Sequence, residues 1–269
     1  MVVDLRILAV SLLLAVACAG PGRVARIETG FLDRAVAVEG QNFRYQVYVP
    51  EQWRGDRRWP VVLFLHGLGE RGDDGQFQTD VGLPSAIRKF RARFPAVVVM
   101  PQCRGDAWWS QPAMQAQAMR ALEEAIVEWN GDRRRVYLTG LSMGGYGTWA
   151  MAAAYPGRFA ALVPVCGGIS RRTVPGLAEV PFPGEGTADP FATVARAVGK
   201  TPVWVFHGAK DTAVDPNESR RMVEAIKALG GQVRYTEYPD VGHGAWVPAY
   251  ADPDLATWLF AQALAGGPE

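Results

Sequence analysis

The stretch that decides the fold is Arg135-Val136-Tyr137-Leu138-Thr139-Gly140-Leu141-Ser142-Met143-Gly144-Gly145-Tyr146 and its continuation to Ala154. Arg135 to Thr139 is a short β-branched and aromatic run of strand type, and Tyr146 to Ala154 is of helical type. Between them lies Gly-x-Ser-x-Gly, centred on Ser142. In that strand-turn-helix setting the glycines permit a turn too tight for flanking side chains, and the turn presents the serine hydroxyl. It also sets the free amides of a helix N-terminus beneath that hydroxyl, where they stabilise developing negative charge.

Working outward, β-type runs recur at Phe43 to Val49, Val61 to Leu65, Ala96 to Met100, Ala161 to Val165, Val203 to Phe206 and Gln232 to Tyr238. Several are continuously apolar, as in strands covered on both faces. Helical patterns alternate with them. Met114 to Trp129 carries an apolar stripe and stops at Asn130-Gly131. Asp215-Pro216-Asn217-Glu218 reads as an N-cap, an N1 proline and an N3 glutamate, opening a helix that ends at Gly230-Gly231. Asp252-Pro253 opens a last helix through Leu264. This alternation predicts an α/β fold with a mostly parallel sheet. Residues 22–269 read as one catalytic domain, with an irregular excursion from Arg171 to Ala188.

Composition narrows the function classes. With 49% hydrophobic and 20% charged residues the chain can build a large core, and 28 basic against 27 acidic residues leave a net charge of +1. That balance argues against a nucleic-acid partner. Three cysteines without a Cys-x-x-Cys pair, and three scattered histidines, argue against a metal site. Arg6 followed by the apolar run Ile7 to Ala17 reads as an export signal over residues 1–21. Ala15-Val16-Ala17 fits an ordinary cleavage site, and the same residues before Cys18 fit a lipid-attachment site; both readings stand. The expected location is therefore periplasmic or extracellular, either free or held to a membrane through Cys18.

A serine nucleophile needs a base and an acid. His243, in the glycine-flanked loop Gly242-His243-Gly244, is the candidate base. His66 precedes the serine in the chain and is read as a buttress; His207, at a strand end, is read as structural. Asp211, in His207-Gly208-Ala209-Lys210-Asp211, is the candidate acid, because Asp215 is accounted for as a helix cap; Asp240 is the rival. The glycine-rich turn His66-Gly67-Leu68-Gly69 follows a strand and can aim a backbone amide at the reaction centre. Leu68, or alternatively Gly69, would pair with the amide of Met143 as an oxyanion hole. Glu70, Arg71, Asp73 and Asp74 read as a solvated loop, with a role at the pocket rim as the alternative and no metal site expected. Trp108, Trp109 and Trp246 fall after strands near the serine and are candidate substrate-binding residues, with packing that seats these loops as the equal alternative. Cys103 and Cys166 follow strands with two others between them, a gap on the order of 14 Å against a limit of about 7 Å for a disulfide. They are expected to be free and partly buried thiols.

His-Gly-x-Gly, Gly-Leu-Ser-Met-Gly-Gly-Tyr, His-Gly-x-x-Asp and Gly-His, in this order, resemble the α/β-hydrolase superfamily. The likeness is to its secreted esterase branch, which includes dienelactone hydrolases, polyhydroxybutyrate depolymerases and feruloyl or acetylxylan esterases. It implies a twisted sheet of about eight strands with helices on both faces. It also implies Ser142 as nucleophile, His243 as base, Asp211 as acid, Leu68 and Met143 as oxyanion donors, and no cofactor. Gly167 to Lys200 is too short for the large cap of many members, so an open site suited to bulky, polymeric or carbohydrate-linked esters is expected. Three other readings stand beside ester hydrolysis on this scaffold: a serine peptidase, an acyltransferase, and an exported binding protein without activity.

Overall fold

A computed structural model describes residues 28–170 and 180–265. The expected export segment, Cys18 included, and positions 171–179 of the excursion lie outside these described residues. Among the described residues, eight strands form one sheet in the order β1-β2-β4-β3-β5-β6-β7-β8. They are β1 (Gly30–Val38), β2 (Gln41–Val49), β3 (Trp59–Leu65), β4 (Val97–Pro101), β5 (Gly131–Leu141), β6 (Ala161–Val165), β7 (Val203–Gly208) and β8 (Val233–Tyr238). The pairs β1–β2 and β2–β4 are antiparallel, and β4, β3, β5, β6, β7 and β8 run parallel.

The helices are α1 (Leu83–Lys89), α2 (Pro112–Glu128), α3 (Met143–Ala154), α4 (Pro190–Val198), α5 (Asn217–Ala228), α6 (Trp246–Ala251) and α7 (Pro253–Phe260). Alternate side chains of each central strand go to opposite faces, as the two-residue period requires. Val61, Leu63 and Leu65 of β3 join a core with residues of α2, α3, α4 and α5. Val62 and Phe64 join a second core with residues of α1, α6 and α7. Both faces of the sheet are thus covered. Among the described residues no cap domain intervenes between β6 and β7, only α4 and the irregular run before it.

Several elements differ from the sequence reading. Strand β1, whose Asp33 and Arg34 break its apolar alternation, pairs with β2 through a two-residue turn, Glu39-Gly40, with φ of 49° and 78°. Positive φ at both positions matches the twist of an antiparallel hairpin. Glu218 does not close a capping box: Asp215 Oδ1 accepts the Asn217 amide at 2.9 Å, while Glu218 reaches across to the amides of Ile169 and Ser170 at 2.8 and 3.0 Å. The last helix ends at Phe260 rather than Leu264, and a separate short helix, α6, precedes it.

Parallel strands bring their C-terminal ends to one edge of the sheet. The chain leaves β3 toward β4 on one side and returns from β4 to β5 on the other, so β3 and β5 flank a topological switch point, where α/β proteins place their sites. The turns after β3, β5, β6, β7 and β8 all open there.

Candidate active site

Ser142 follows the last residue of β5 and precedes the first of α3, with φ 53° and ψ −116°. A non-glycine residue at positive φ is costly and persists only when its surroundings enforce it. Here the enforcement is close packing. A Cβ on Gly144 would collide with the Leu65 carbonyl, and one on Gly140 with the Gly144 carbonyl, so α3 seats directly against the end of β3. The Ser142 amide donates to Val165 O at 2.9 Å, fixing the turn to β6.

His243 lies in the turn between β8 and α6. Its Nε2 is 2.8 Å from Ser142 Oγ, and its Nδ1 is 2.7 Å from Asp211 Oδ2. Asp211 comes from the turn after β7, and its Oδ1 accepts the amides of Ala213 and Val214 at 2.8 and 2.9 Å. Burial of Asp211 favours the neutral acid, but the bonds from His207, His243 and the Val214 amide outweigh it and hold the carboxyl well below the usual carboxylate range. Asp240 is exposed and pairs with Lys210 at 2.8 Å, away from His243. The ligand-type atoms of Cys166, Asp211 and His243 lie within 4.8 Å of one another. Hydrogen bonds already occupy both Asp211 oxygens and burial pushes the Cys166 thiol up, so this trio is poorly suited to hold a cation.

The turn after β3 forms the opposite wall. His66 is fully buried; its Nδ1 donates to Gly67 O at 2.6 Å, and its Nε2 accepts the Cys103 amide at 2.9 Å. Burial lowers its pKa to about 4, so the ring is a neutral brace between this turn and the one after β4. Leu68 and Met143 line the same cavity as Ser142 and His243. The Met143 amide, first in α3, has no acceptor within its own helix.

This cavity encloses about 420 Å³, with Glu70, Trp108, Tyr146, Val214 and Trp246 among its walls. Trp246 meets the His243 ring edge-on at 5.4 Å, and Trp108 meets Tyr146 at 6.1 Å. Trp109 departs from the substrate-binding reading and takes the packing one. It is fully buried, donates Nε1–H to His66 O at 3.0 Å, and faces the core rather than the cavity. Glu70 takes the pocket-rim alternative rather than the solvated-loop one, because it lies half-buried in the cavity wall and burial pushes its carboxyl up. Its position in a Gly-x-Gly-Glu turn carries no periodicity that would mark it as inward-facing. Cys103 and Cys166 are free, as expected, but fully rather than partly buried.

The sequence has recognisable relatives. An esterase of Mycobacterium tuberculosis is 31% identical over 150 residues, covering 51% of this chain and 32% of the relative. Feruloyl esterase B of Neurospora crassa is 27% identical over 219 residues, covering 69% of this chain and 68% of the relative. The crystal structure of a thermostable esterase superposes with a TM-score of 0.72 at 31% identity, covering 87% of this chain and 63% of that one. This chain therefore spans about a third of the mycobacterial relative and under two thirds of the thermostable one. The family model of the prolyl oligopeptidase family matches residues 96–261, more than half of the sequence, from the start of β4 to the end of α7. On this match and on its doubly covered, mostly parallel sheet, the chain belongs to the prolyl oligopeptidase family of α/β hydrolases.

Proposed function

We propose that this protein is an exported serine esterase with Ser142, His243 and Asp211 as its catalytic triad. The observation that carries the reading is the unbroken hydrogen-bonded line Ser142 Oγ to His243 Nε2, 2.8 Å, and His243 Nδ1 to Asp211 Oδ2, 2.7 Å, ending on a serine held at positive φ. Ser142 Oγ attacks the ester carbonyl while its proton passes to His243 Nε2, and Asp211 stabilises the imidazolium. The amides of Leu68 and Met143 hold the oxyanion. As the tetrahedral intermediate collapses, His243 returns the proton to the departing alcohol and leaves an acyl-serine. Water, deprotonated by His243, then releases the acid and restores the serine.

The aromatic wall of Trp108, Tyr146 and Trp246 suits esters with an aryl or similarly broad acyl group, and one relative is named a feruloyl esterase. The N-terminal segment, read from Arg6 and the apolar run after it, directs export, with Cys18 as the candidate point of lipid attachment.

The test is hydrolysis of acetyl, butyryl and feruloyl esters by the wild type and Ser142→Ala, with circular dichroism on both. Turnover confined to the wild type, with matching spectra, is the expected result; equal background rates in the two proteins would overturn the reading. The family's peptidase name favours one rival, amide cleavage. An N-acetyl-aminoacyl anilide cleaved faster than the matched ester would establish that rival.

A further inference from the structure

The acid is held by more than its own turn and the base. His207, the fifth residue of β7, is fully buried, and its Nε2 lies 3.2 Å from Asp211 Oδ2, the oxygen that accepts His243, and 3.1 Å from Val214 O. A carboxylate and a carbonyl can only accept, so Nε2 carries a hydrogen shared between them. On the other side of the ring, Nδ1 is 2.7 Å from the hydroxyl of Ser219, which is 1% exposed in the first turn of α5. A line of five side chains thus runs Ser219, His207, Asp211, His243, Ser142. The two acceptors of Nε2 are the two ends of the 211–214 turn: one bears the acid, and the other, Val214, lines the cavity.

We infer that His207 is a positioning residue for the reaction, orienting the Asp211 carboxylate and moderating its hold on His243 through a second hydrogen bond to the same oxygen. The inference rests on the triad reading proposed above. The single Nε2 hydrogen of this ring is shared between a backbone carbonyl and the carboxylate it would orient. Two donors on one oxygen share its basicity, so each receives a weaker bond than it would alone. Without His207, Oδ2 serves His243 only and stabilises the imidazolium more strongly. The base then gains its proton at higher pH, and the carboxylate keeps fewer constraints on its orientation. Among the described residues, the other titratable groups around Asp211 and His207 are Cys166 on the β6 turn and Glu237 on β8, the latter held by Arg220 and Tyr235; Glu70 shares the cavity with His243, and the Lys210–Asp240 pair lies outside, in solvent. Glu237 also interacts electrostatically with His207, and its pairing with Arg220 and Tyr235 is kept in every variant at 207 or 219.

The experiment measures kcat, KM and the pH profile of kcat/KM on p-nitrophenyl acetate for the full chain and for His207→Leu, His207→Gln and Ser219→Ala, with Ser142→Ala as control and denaturant unfolding on each. For His207→Leu we expect the acid limb to move up by about half a pH unit, kcat to fall by about tenfold and KM to stay within about twofold. His207→Gln, which keeps an amide donor, should recover part of both changes. Ser219→Ala, which frees the ring but keeps it, should move the limb in the same direction by less. An unmoved acid limb in folded His207→Leu overturns the inference. If that variant does not fold, an unmoved limb in Ser219→Ala does so. Activity retained by Ser142→Ala would instead sink the triad reading, which separates the two failures.

Discussion

Gly144→Ala adds one methyl group two residues after the candidate nucleophile, and its consequence follows from the packing of α3 on β3. The new Cβ would meet Leu65 O, Leu65 C and His66 O, all backbone atoms and all inside the 3.0 Å that real Cβ atoms essentially never violate. No side-chain rotation can relieve this, so the helix N-terminus must retreat from the end of β3. The retreat is on the order of 1 Å, a misplacement that typically costs about 10²-fold in rate when it reaches reacting groups. It reaches the proposed ones: Ser142 precedes the helix, the Met143 amide is its first residue, and the turn that carries Leu68 begins at His66. Overpacking of this kind also costs about 1–3 kcal/mol of stability. The assay is kcat/KM on a simple ester beside urea unfolding, with Gly105→Ala as control, since a Cβ there meets nothing within 4 Å. We expect Gly144→Ala to lose about 10²-fold in kcat/KM while Gly105→Ala retains wild-type values. Full activity and an unshifted unfolding midpoint in Gly144→Ala would refute the claim that contact between α3 and β3 sets the geometry of the serine turn.

Four further outcomes can be checked. The pKa of His66 is lowered from 6.5 to about 4 in the folded state, so folding favours its neutral form. Its contribution is complete above pH 6.5 and is lost as pH falls toward 4, about 3 kcal/mol over the window. Urea midpoints should therefore drop less between pH 7.5 and 4.5 in His66→Gln than in the wild type, and equal drops would contradict this. Trp109→Ala, which empties a fully buried site, should cost about 3–5 kcal/mol in denaturant unfolding. Trp246→Ala should leave stability nearly unchanged and lower kcat/KM for aryl esters more than for acetyl esters, because Trp246 is only partly buried and abuts His243. A thiol reagent should leave Cys103 and Cys166 unmodified in the folded protein, since both are buried and burial pushes both thiols up; rapid labelling before unfolding would show that the site opens.

The readings that the sequence carries are those set by local constraints. A strand, a glycine-bounded serine and a helix within twenty residues specify the turn at Ser142, because each glycine there is required by contacts within the turn or with the strand beside it. The continuous apolar runs mark β3, β4, β6 and β7, since a parallel strand is covered on both faces. Asp252 is readable as a cap, and accepts the Asp254 amide at 2.9 Å, because capping acts within one turn of a helix. Strand β1 has no such signature, since its identity comes from pairing with β2 rather than from burial. Tertiary structure alone decided the rest. Ser142 and His243 are 101 residues apart, His243 and Asp211 are 32, and they meet because parallel strands deliver their C-terminal ends to one edge. The same delivery turns Trp108 and Trp246 to the cavity and Trp109 to the core, although residues 108 and 109 are identical in type and adjacent in sequence. It also sets His207 against Asp211, a contact fixed by the turn joining β7 to α5 and by Ser219 within that helix. Side-chain type is written in the chain, but whether a group faces water, a core or a reacting atom depends on which surfaces close over it.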